Sequence, residues 1–244
     1  MRVPPGVFII SLLVIAACCA VSVNAQEVVK SRAAFKNELS ETASTSSQGA
    51  NSDDSLYMLK KGDNEVGFWG GGAFAATTIF GGLTDAEADE RRFVVAAFRY
   101  GRTLAASRSL ALQYTLDAIP LAVATGNIES STTVGGVTTF RRGSAYGAGV
   151  TPLGLQLDFA NRSRVKPFIH LNGGLLFFNK PVPLPDAGKL ALIGETGAGV
   201  RVFTSARRAL SFGMRFHHLS NGDRSGSNRG YNQFIFYAGF SVLK

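Results

Sequence analysis

A polar motif near the end of the chain contains residue types that could carry out nucleophilic chemistry: His218, Ser220, Asn221, Asn228, Gly230 and Asn232. A histidine and a serine two residues apart on a strand lie on one face, where the imidazole can act as the base that activates the hydroxyl. Such a pair also needs a group that fixes the histidine tautomer and donors for a developing oxyanion. Asn221, Asn228 and the backbone around Gly230 are candidate donors, and strand parity places Asn232 on the outward face beside the pair. H-x-S alone is a weak signal, and the competing interpretation is a polar loop joining two strands.

Strand alternation decides which way the pair points. In residues 211–220 the first face carries Phe212, Met214, Phe216, His218 and Ser220, and the second carries Gly213, Arg215, His217 and Leu219. His218 and Ser220 therefore continue an apolar stripe, an expensive position for polar groups that serve no purpose there. We expect His217 to join Arg215 in an interior hydrogen-bond network, and we assign no role to His170.

From residue 64 onward the chain is rich in glycine, aromatic and β-branched residues, without a convincing helical period, which predicts an all-β domain. Eight strands are expected near residues 65–76, 92–102, 108–118, 145–159, 165–178, 190–203, 209–220 and 231–243. Short links (RTLAAS, NRSR and TSARRA) alternate with longer ones. This alternation is typical of an eight-stranded antiparallel transmembrane β-barrel of the outer membrane.

The last strand favours a membrane setting. Phe234, Phe236, Ala238, Phe240 and Val242 share one strongly apolar face, as a lipid-facing wall would. The alternative is a soluble exported lipid-binding barrel, in which the apolar face points inward.

The N-terminal residues predict export. Residues 1–25 combine Arg2, an apolar run and the small-residue site Val23-Asn24-Ala25, as in a signal peptide, although Cys18 could instead be lipidated within a lipobox. Residues 26–63 are polar and are predicted to form a flexible arm, which places the barrel at residues 64–244. Both cysteines fall inside the signal peptide, so we expect neither disulfides nor a thiolate metal site.

The net charge is +8, but export argues against nucleic acid as a partner. Attraction to an anionic lipid surface suits an exported basic protein better. The arginine pairs, such as Arg91-Arg92 and Arg141-Arg142, are expected to lie in turns. With three histidines in the chain, we expect no metal and no cofactor.

The C-terminal part resembles the lipid A 3-O-deacylase (PagL) family, also called acyloxyacyl hydrolases. The resemblance begins at VKPFIHLNGGLLFF (Val165 to Phe178) and continues through GAGVRVF (Gly197 to Phe203). It ends at the motifs H-x-S-N (His218 to Asn221) and N-x-G (Asn228 to Gly230). Before about Ala145 it extends only to general barrel character.

The resemblance implies an outer-membrane esterase that removes the 3-O-linked acyl chain of lipid A without a metal. His218 would be the general base, Ser220 the nucleophile, and Asn221 and Asn228 would support the oxyanion. The best-known members have a glutamate that orients the histidine where this chain has Asn232, so the resemblance implies that role for Asn232. Asp223 is an alternative partner for the histidine. Two interpretations therefore stand: an active lipopolysaccharide deacylase, and an impaired structural or adhesive barrel of the same fold. A homodimer is a possible assembly for the active deacylase and for the impaired barrel.

Overall fold

The computed structural model describes residues 56–78, 82–135, 137–226 and 228–244. The chain divides into a unit of residues 1–51 and a unit of residues 52–244. The predicted signal peptide, Cys18 and the arm up to residue 55 lie outside the described residues, so those expectations stay predictions.

The second unit is a closed antiparallel β-barrel. Its strands are β1 (Asn64–Ala73), β2 (Ala76–Thr77), β3 (Arg92–Ala106), β4 (Leu110–Val134), β5 (Val137–Phe159), β6 (Val165–Phe178), β7 (Leu190–Ser205), β8 (Arg208–Ser220) and β9 (Tyr231–Leu243). β2 is a two-residue pairing with β9, and the other eight form the wall, which closes where β1 pairs with β9. The predicted fold class is confirmed.

Side chains alternate across the wall as predicted. On β9, Phe236 is 57% exposed, whereas its neighbours Ile235 and Tyr237 are buried. Phe98 and Leu171, which point outward from other strands, are 64% and 60% exposed. A wall that is apolar outside is what lipid requires.

The barrel interior contains buried charged side chains as well as a buried apolar cluster that includes Trp69, Phe93 and Ile235. Three interior arginines each face a carboxylate: Arg99–Asp117, Arg201–Glu65 and Arg215–Glu195, with N–O separations of 2.7, 3.1 and 2.8 Å. Buried charges are tolerated when they are paired in this way. An apolar outer wall around buried, paired charges is the opposite of the arrangement in a soluble lipid-carrying barrel, so the soluble alternative is wrong.

One connection differs from the prediction. Residues 119–144 were expected to form a long link, but β4 and β5 extend through most of this region as a continuous hairpin of 25 and 23 residues. Their pairing continues to Val134 and Val137, which flank Gly135-Gly136. Gly135 has a φ of +60°, a value that two-residue hairpin turns require and glycine adopts freely. The flanking threonines and valines favour strands, so the sequence did contain this signal.

The link between β2 and β3 contains one short helix, α1 (Asp85–Ala88), which we had not expected. Thr84 caps it: the Thr84 hydroxyl accepts from the Glu87 backbone, and the Glu87 carboxylate accepts from the Thr84 backbone, which is a capping box. No helix in the described ranges is both long enough and apolar enough to cross a membrane.

The packed part of the chain starts before the predicted boundary at residue 64. Leu59 is 1% exposed; its backbone exchanges hydrogen bonds of 3.0 and 2.9 Å with the Asn161 side chain. Tyr57 packs against Phe203, with ring centroids 6.0 Å apart. These contacts join residues 57–59 to the end of the barrel that carries the short turns.

Candidate active site

Neighbouring strands bring His218 and Asn232 together. They are cross-strand partners on β8 and β9, near the ends that lead into the longer loops. The His218 Nδ1–H donates to Asn232 Oδ1 over 2.6 Å. This bond assigns the proton to Nδ1, which leaves Nε2 with its lone pair and therefore able to accept a proton. The predicted contact between the histidine and the residue at the family's glutamate position is present.

Ser220 lies two residues beyond His218 on the same outward face of β8, opposite Leu192 of β7. Both His218 and Ser220 are half-buried, so the pair is reachable from the lipid side. Within the described residues, no hydrogen bond joins the Ser220 hydroxyl to His218. Catalytic hydrogen bonds are often long before substrate binds, so this spacing is compatible with a base and its nucleophile.

The backbone of Gly230 lies directly against the imidazole ring of His218. A Cβ at this position would lie 2.7 Å from His218 Cε1 and 3.2 Å from His218 Nδ1. The first distance is too short for a side chain, so only glycine lets the backbone lie against the ring at its present position. Gly194, which faces His218 from β7, is different, because a Cβ added there would meet nothing within 4 Å.

Asn221 and Asn228, the two asparagines of the loop after β8, make different hydrogen bonds. Asn221 is 2% exposed, and its Nδ2 donates to the Ala187 carbonyl at 2.9 Å and to the Ser225 hydroxyl at 2.7 Å. Its backbone N–H donates to Asn228 Oδ1 at 3.2 Å. Because Asn228 uses its oxygen here, its amide N–H groups point elsewhere, and within the described residues they reach no acceptor. Oxyanion support by Asn221, Asn228 and Gly230 stays a prediction.

The interior residue next to the pair behaves as expected. His217 Nδ1 lies 2.7 Å from Glu195 Oε1, and Arg215 contacts the other Glu195 oxygen, which also accepts from Asn172. His217 thus belongs to the buried network of the barrel. His170 is buried too, and within the described residues neither of its ring nitrogens has a hydrogen-bond partner.

Asp223 does not take the place of Asn232. It is exposed in the loop after β8, with a φ of +59°, and its backbone N–H donates to Asn221 Oδ1 at 3.0 Å. Within the described residues, the side-chain partner of His218 is Asn232.

An unpredicted segment, residues 82–91, packs against the N-x-G motif. The Leu83 backbone donates to the Gly230 carbonyl at 3.2 Å, and Glu87 accepts from Arg229 at 2.5 Å. Gly82, with a φ of +103°, comes so close to Gly230 that a Cβ would lie 2.2 Å from its carbonyl oxygen. The T-x-x-E capping sequence was the available signal for structure in this segment.

Arg91 ties this segment to other parts of the loop end. It is fully buried in the connection that leads into β3. Arg141 and Arg142 lie in β5, contrary to the expectation that this pair lies in a turn. The Arg91 guanidinium donates to the carbonyls of Glu87, Pro183 and Asn127, the latter two at 2.7 Å. It also lies 5.5 Å from the ring centroid of Tyr231, the residue between Gly230 and Asn232.

Glu87 has the charge state that this arrangement needs. Burial by itself would raise the pKa of Glu87, but hydrogen bonds from the Thr84 backbone and hydroxyl and the charge of Arg229 outweigh it. The pKa therefore lies below its ordinary value of 4.5. Glu87 is a carboxylate at neutral pH.

A sequence model of one family matches residues 108–241, which is more than half of the chain; its description is lipid A 3-O-deacylase (PagL). The chain belongs to this family. The match starts well before Ala145, so the family likeness covers more strands than the motifs indicated. Membership places the protein in the bacterial outer membrane and links it broadly to lipid A deacylation.

Solved structures with a similar backbone fold include several outer-membrane barrels. The outer membrane enzyme PagL is 16% identical, with a TM-score of 0.46, over 72% of this chain and 97% of that one. Neisserial surface protein A is 13% identical, with a TM-score of 0.44, over 75% and 97%. The N-terminal barrel domain of Pseudomonas aeruginosa OprF is 8% identical, with a TM-score of 0.40, over 76% and 100%. No curated protein matches the sequence.

Proposed function

We propose that this protein is an outer-membrane esterase that hydrolyses the 3-O-linked acyl chain of lipid A by a His-Ser mechanism. The observation that carries the proposal is the 2.6 Å bond from His218 Nδ1–H to Asn232 Oδ1, because it prepares the histidine as a base beside Ser220. Family membership supplies the substrate class.

In the first step, His218 Nε2 takes the proton of Ser220 as the serine oxygen attacks the ester carbonyl. The tetrahedral oxyanion collapses, the sugar hydroxyl leaves with the proton held by His218, and the acyl group stays on Ser220. Water then attacks this acyl-enzyme with His218 again as the base, which releases a fatty acid and restores the serine.

Asn232 performs two tasks in this scheme. Its Oδ1 keeps the proton on His218 Nδ1, and it holds the ring in one orientation while charge develops on it. An amide carries no negative charge, so it stabilises the imidazolium less than a carboxylate would. We expect a slower enzyme than a relative with glutamate at this position.

Asn228 is the best candidate for an oxyanion donor. Its Oδ1 is fixed by the Asn221 backbone, which sets the orientation of the amide group. The Nδ2 hydrogens are then available to a developing negative charge. The Asn221 amide instead holds the loop through Ala187 and Ser225.

The substrate would approach sideways, from the outer leaflet. Phe216 and Phe234 lie on the outward face beside the pair, with ring centroids 5.5 Å apart, and Leu192 faces Ser220 from β7. Acyl chains can lie against this apolar wall while the ester reaches the polar residues at its edge.

The test compares folded wild-type protein with Ser220→Ala and with Gly194→Ala, a change on the same outer wall for which there is open space. Each is incubated with lipid A in detergent, and the products are read by mass spectrometry. Loss of one hydroxyacyl chain with the wild type and Gly194→Ala, but not with Ser220→Ala, supports the proposal. A lipid A that already lacks the 3-O-linked chain must remain unchanged. Its cleavage would refute the proposed position.

A second candidate is an impaired barrel with a structural or adhesive role. The amide at position 232 favours it, as does the lack of a hydrogen bond between Ser220 and His218 in the described residues. Intact lipid A after incubation with well-folded wild-type protein would support this candidate. Assembly as a homodimer remains a prediction for either function.

A further inference from the structure

The segment 82–91 contacts the N-x-G motif at two consecutive residues. Glu87 Oε2 accepts from Arg229 at 2.5 Å, and the Leu83 N–H donates to the carbonyl of Gly230 at 3.2 Å. Gly230 in turn lies directly against the His218 ring. Contacts thus run from α1 through Arg229 and Gly230 to the ring of His218.

The Glu87 carboxylate is itself held in place. It accepts from the Thr84 backbone and from the Thr84 hydroxyl, both at 2.9 Å, and the Glu87 side chain is only 14% exposed. Beneath it, the buried Arg91 side chain donates to the Glu87 carbonyl. Arg229 is therefore paired with a carboxylate whose position is also fixed by two hydrogen bonds from Thr84.

We propose that Glu87 is a positioning residue for the reaction: by fixing Arg229 it holds Gly230 and keeps the His218 imidazole against Asn232. This inference rests on the proposed function and extends it to a residue that touches neither the substrate nor the reacting atoms. Glu87 matters because the backbone of Gly230 lies against the His218 ring, so a shift of Arg229 and Gly230 would also shift the ring.

Glu87→Gln isolates the ion pair. Glutamine is the other residue found at the end of a capping box, so α1 keeps its cap while the charge opposite Arg229 is lost. We expect kcat to fall about tenfold with KM nearly unchanged, because a misplaced catalytic group slows the chemical step; a full 1 Å displacement can cost about 10².

The matched control is Glu90→Gln. Glu90 follows the same helix but pairs with Arg142 of β5 instead of the loop after β8. Its loss removes an ion pair from the same segment, so kcat should stay at the wild-type level. Arg229→Gln should reproduce the effect of Glu87→Gln. The double variant should be no worse than either single variant, since residues that act through one contact are not additive.

Rates are divided by the amount of folded barrel, measured from its heat-dependent migration in SDS gels. A fall in rate that disappears after this correction would overturn the proposal, because Glu87 would then affect folding only. Equal loss in Glu90→Gln would also overturn it.

A spectroscopic readout separates this proposal from the proposed function. In protein labelled with ¹⁵N-histidine, the Nδ1–H signal of His218 reports its bond to Asn232; the three histidines are assigned by single substitution. We expect this signal to shift or broaden in Glu87→Gln and to stay unchanged in Glu90→Gln. If wild-type protein cleaves no lipid A but the signal moves in this way, the esterase fails and the positioning role stands. If the signal is the same in all three proteins, the positioning role is refuted.

Discussion

Replacing Asn232 with aspartate changes the charge of the group that holds His218 while leaving its shape almost unchanged. One carboxylate oxygen takes the place of Oδ1, 2.6 Å from His218 Nδ1. A neutral hydrogen bond contributes roughly 0.5–1.5 kcal/mol net, and one to a charged group roughly 1.5–3 kcal/mol. The difference of about 1–1.5 kcal/mol corresponds to about a 5- to 13-fold higher kcat.

Direct attraction sets the upper end of the gain. Opposite charges about 4 Å apart interact by about 4 kcal/mol at an effective dielectric constant near 20. Asn232 is only 2% exposed, so the cost of burying a carboxylate offsets much of that attraction. We therefore expect a gain of about 10- to 100-fold in kcat, with some loss of barrel stability.

The assay is release of fatty acid from lipid A in detergent, per folded barrel, for the wild type and the Asp, Glu and Ala variants at position 232. Aspartate should give the largest gain because it replaces the amide atom for atom, whereas glutamate is one methylene longer and needs a different rotamer to reach His218 Nδ1. Adding Ser220→Ala to Asn232→Asp should abolish activity. If Asp and Ala variants both match the wild type, Asn232 does not hold the histidine and the proposed mechanism is wrong.

Three further predictions follow from contacts and burial. Gly230→Ala should lower kcat about 10²-fold by displacing the His218 ring, whereas Gly194→Ala should leave kcat unchanged; both are read in the lipid A assay. Folding lowers the pKa of Glu87, so the contribution of its carboxylate to the stability of residues 82–91 is present above about pH 4.5 and is lost as the pH falls through the lower pKa of the folded state. Amide hydrogen exchange of residues 82–91 should accelerate over that pH range, and Glu87→Gln should remove this pH dependence. Phe98→Arg places a charge on the lipid-facing wall and should destabilise the barrel by about 2–4 kcal/mol in urea unfolding from lipid vesicles, if it lies near the bilayer midplane.

The faces of the strands could be predicted from sequence because their period is two. Once one residue of β8 is placed, the outward direction of His218 and the inward direction of His217 follow, and the structure agrees with both. The contact between His218 and Asn232 followed from the resemblance and from the pairing of two adjacent strands.

The surroundings of the loop could not be predicted in the same way. Glu87 and Arg229 are 142 positions apart in sequence, and contacts between loops follow no period. The burial of Arg91 could not be predicted, because its three partners are backbone carbonyls in three different segments, which a pattern of side chains does not reveal. The hairpin of β4 and β5 was missed although Gly135-Gly136 indicated it.

The paired charges in the barrel interior have a consequence for the cell that makes the protein. These side chains are paired and almost fully buried inside the barrel, so we expect the protein to give no channel conductance in planar lipid bilayers. A cell could then carry many copies without weakening the permeability barrier of its outer membrane. Sensitivity to small hydrophilic antibiotics should stay the same when the protein is overproduced, and any change should trace to altered lipid rather than to leakage through the barrel.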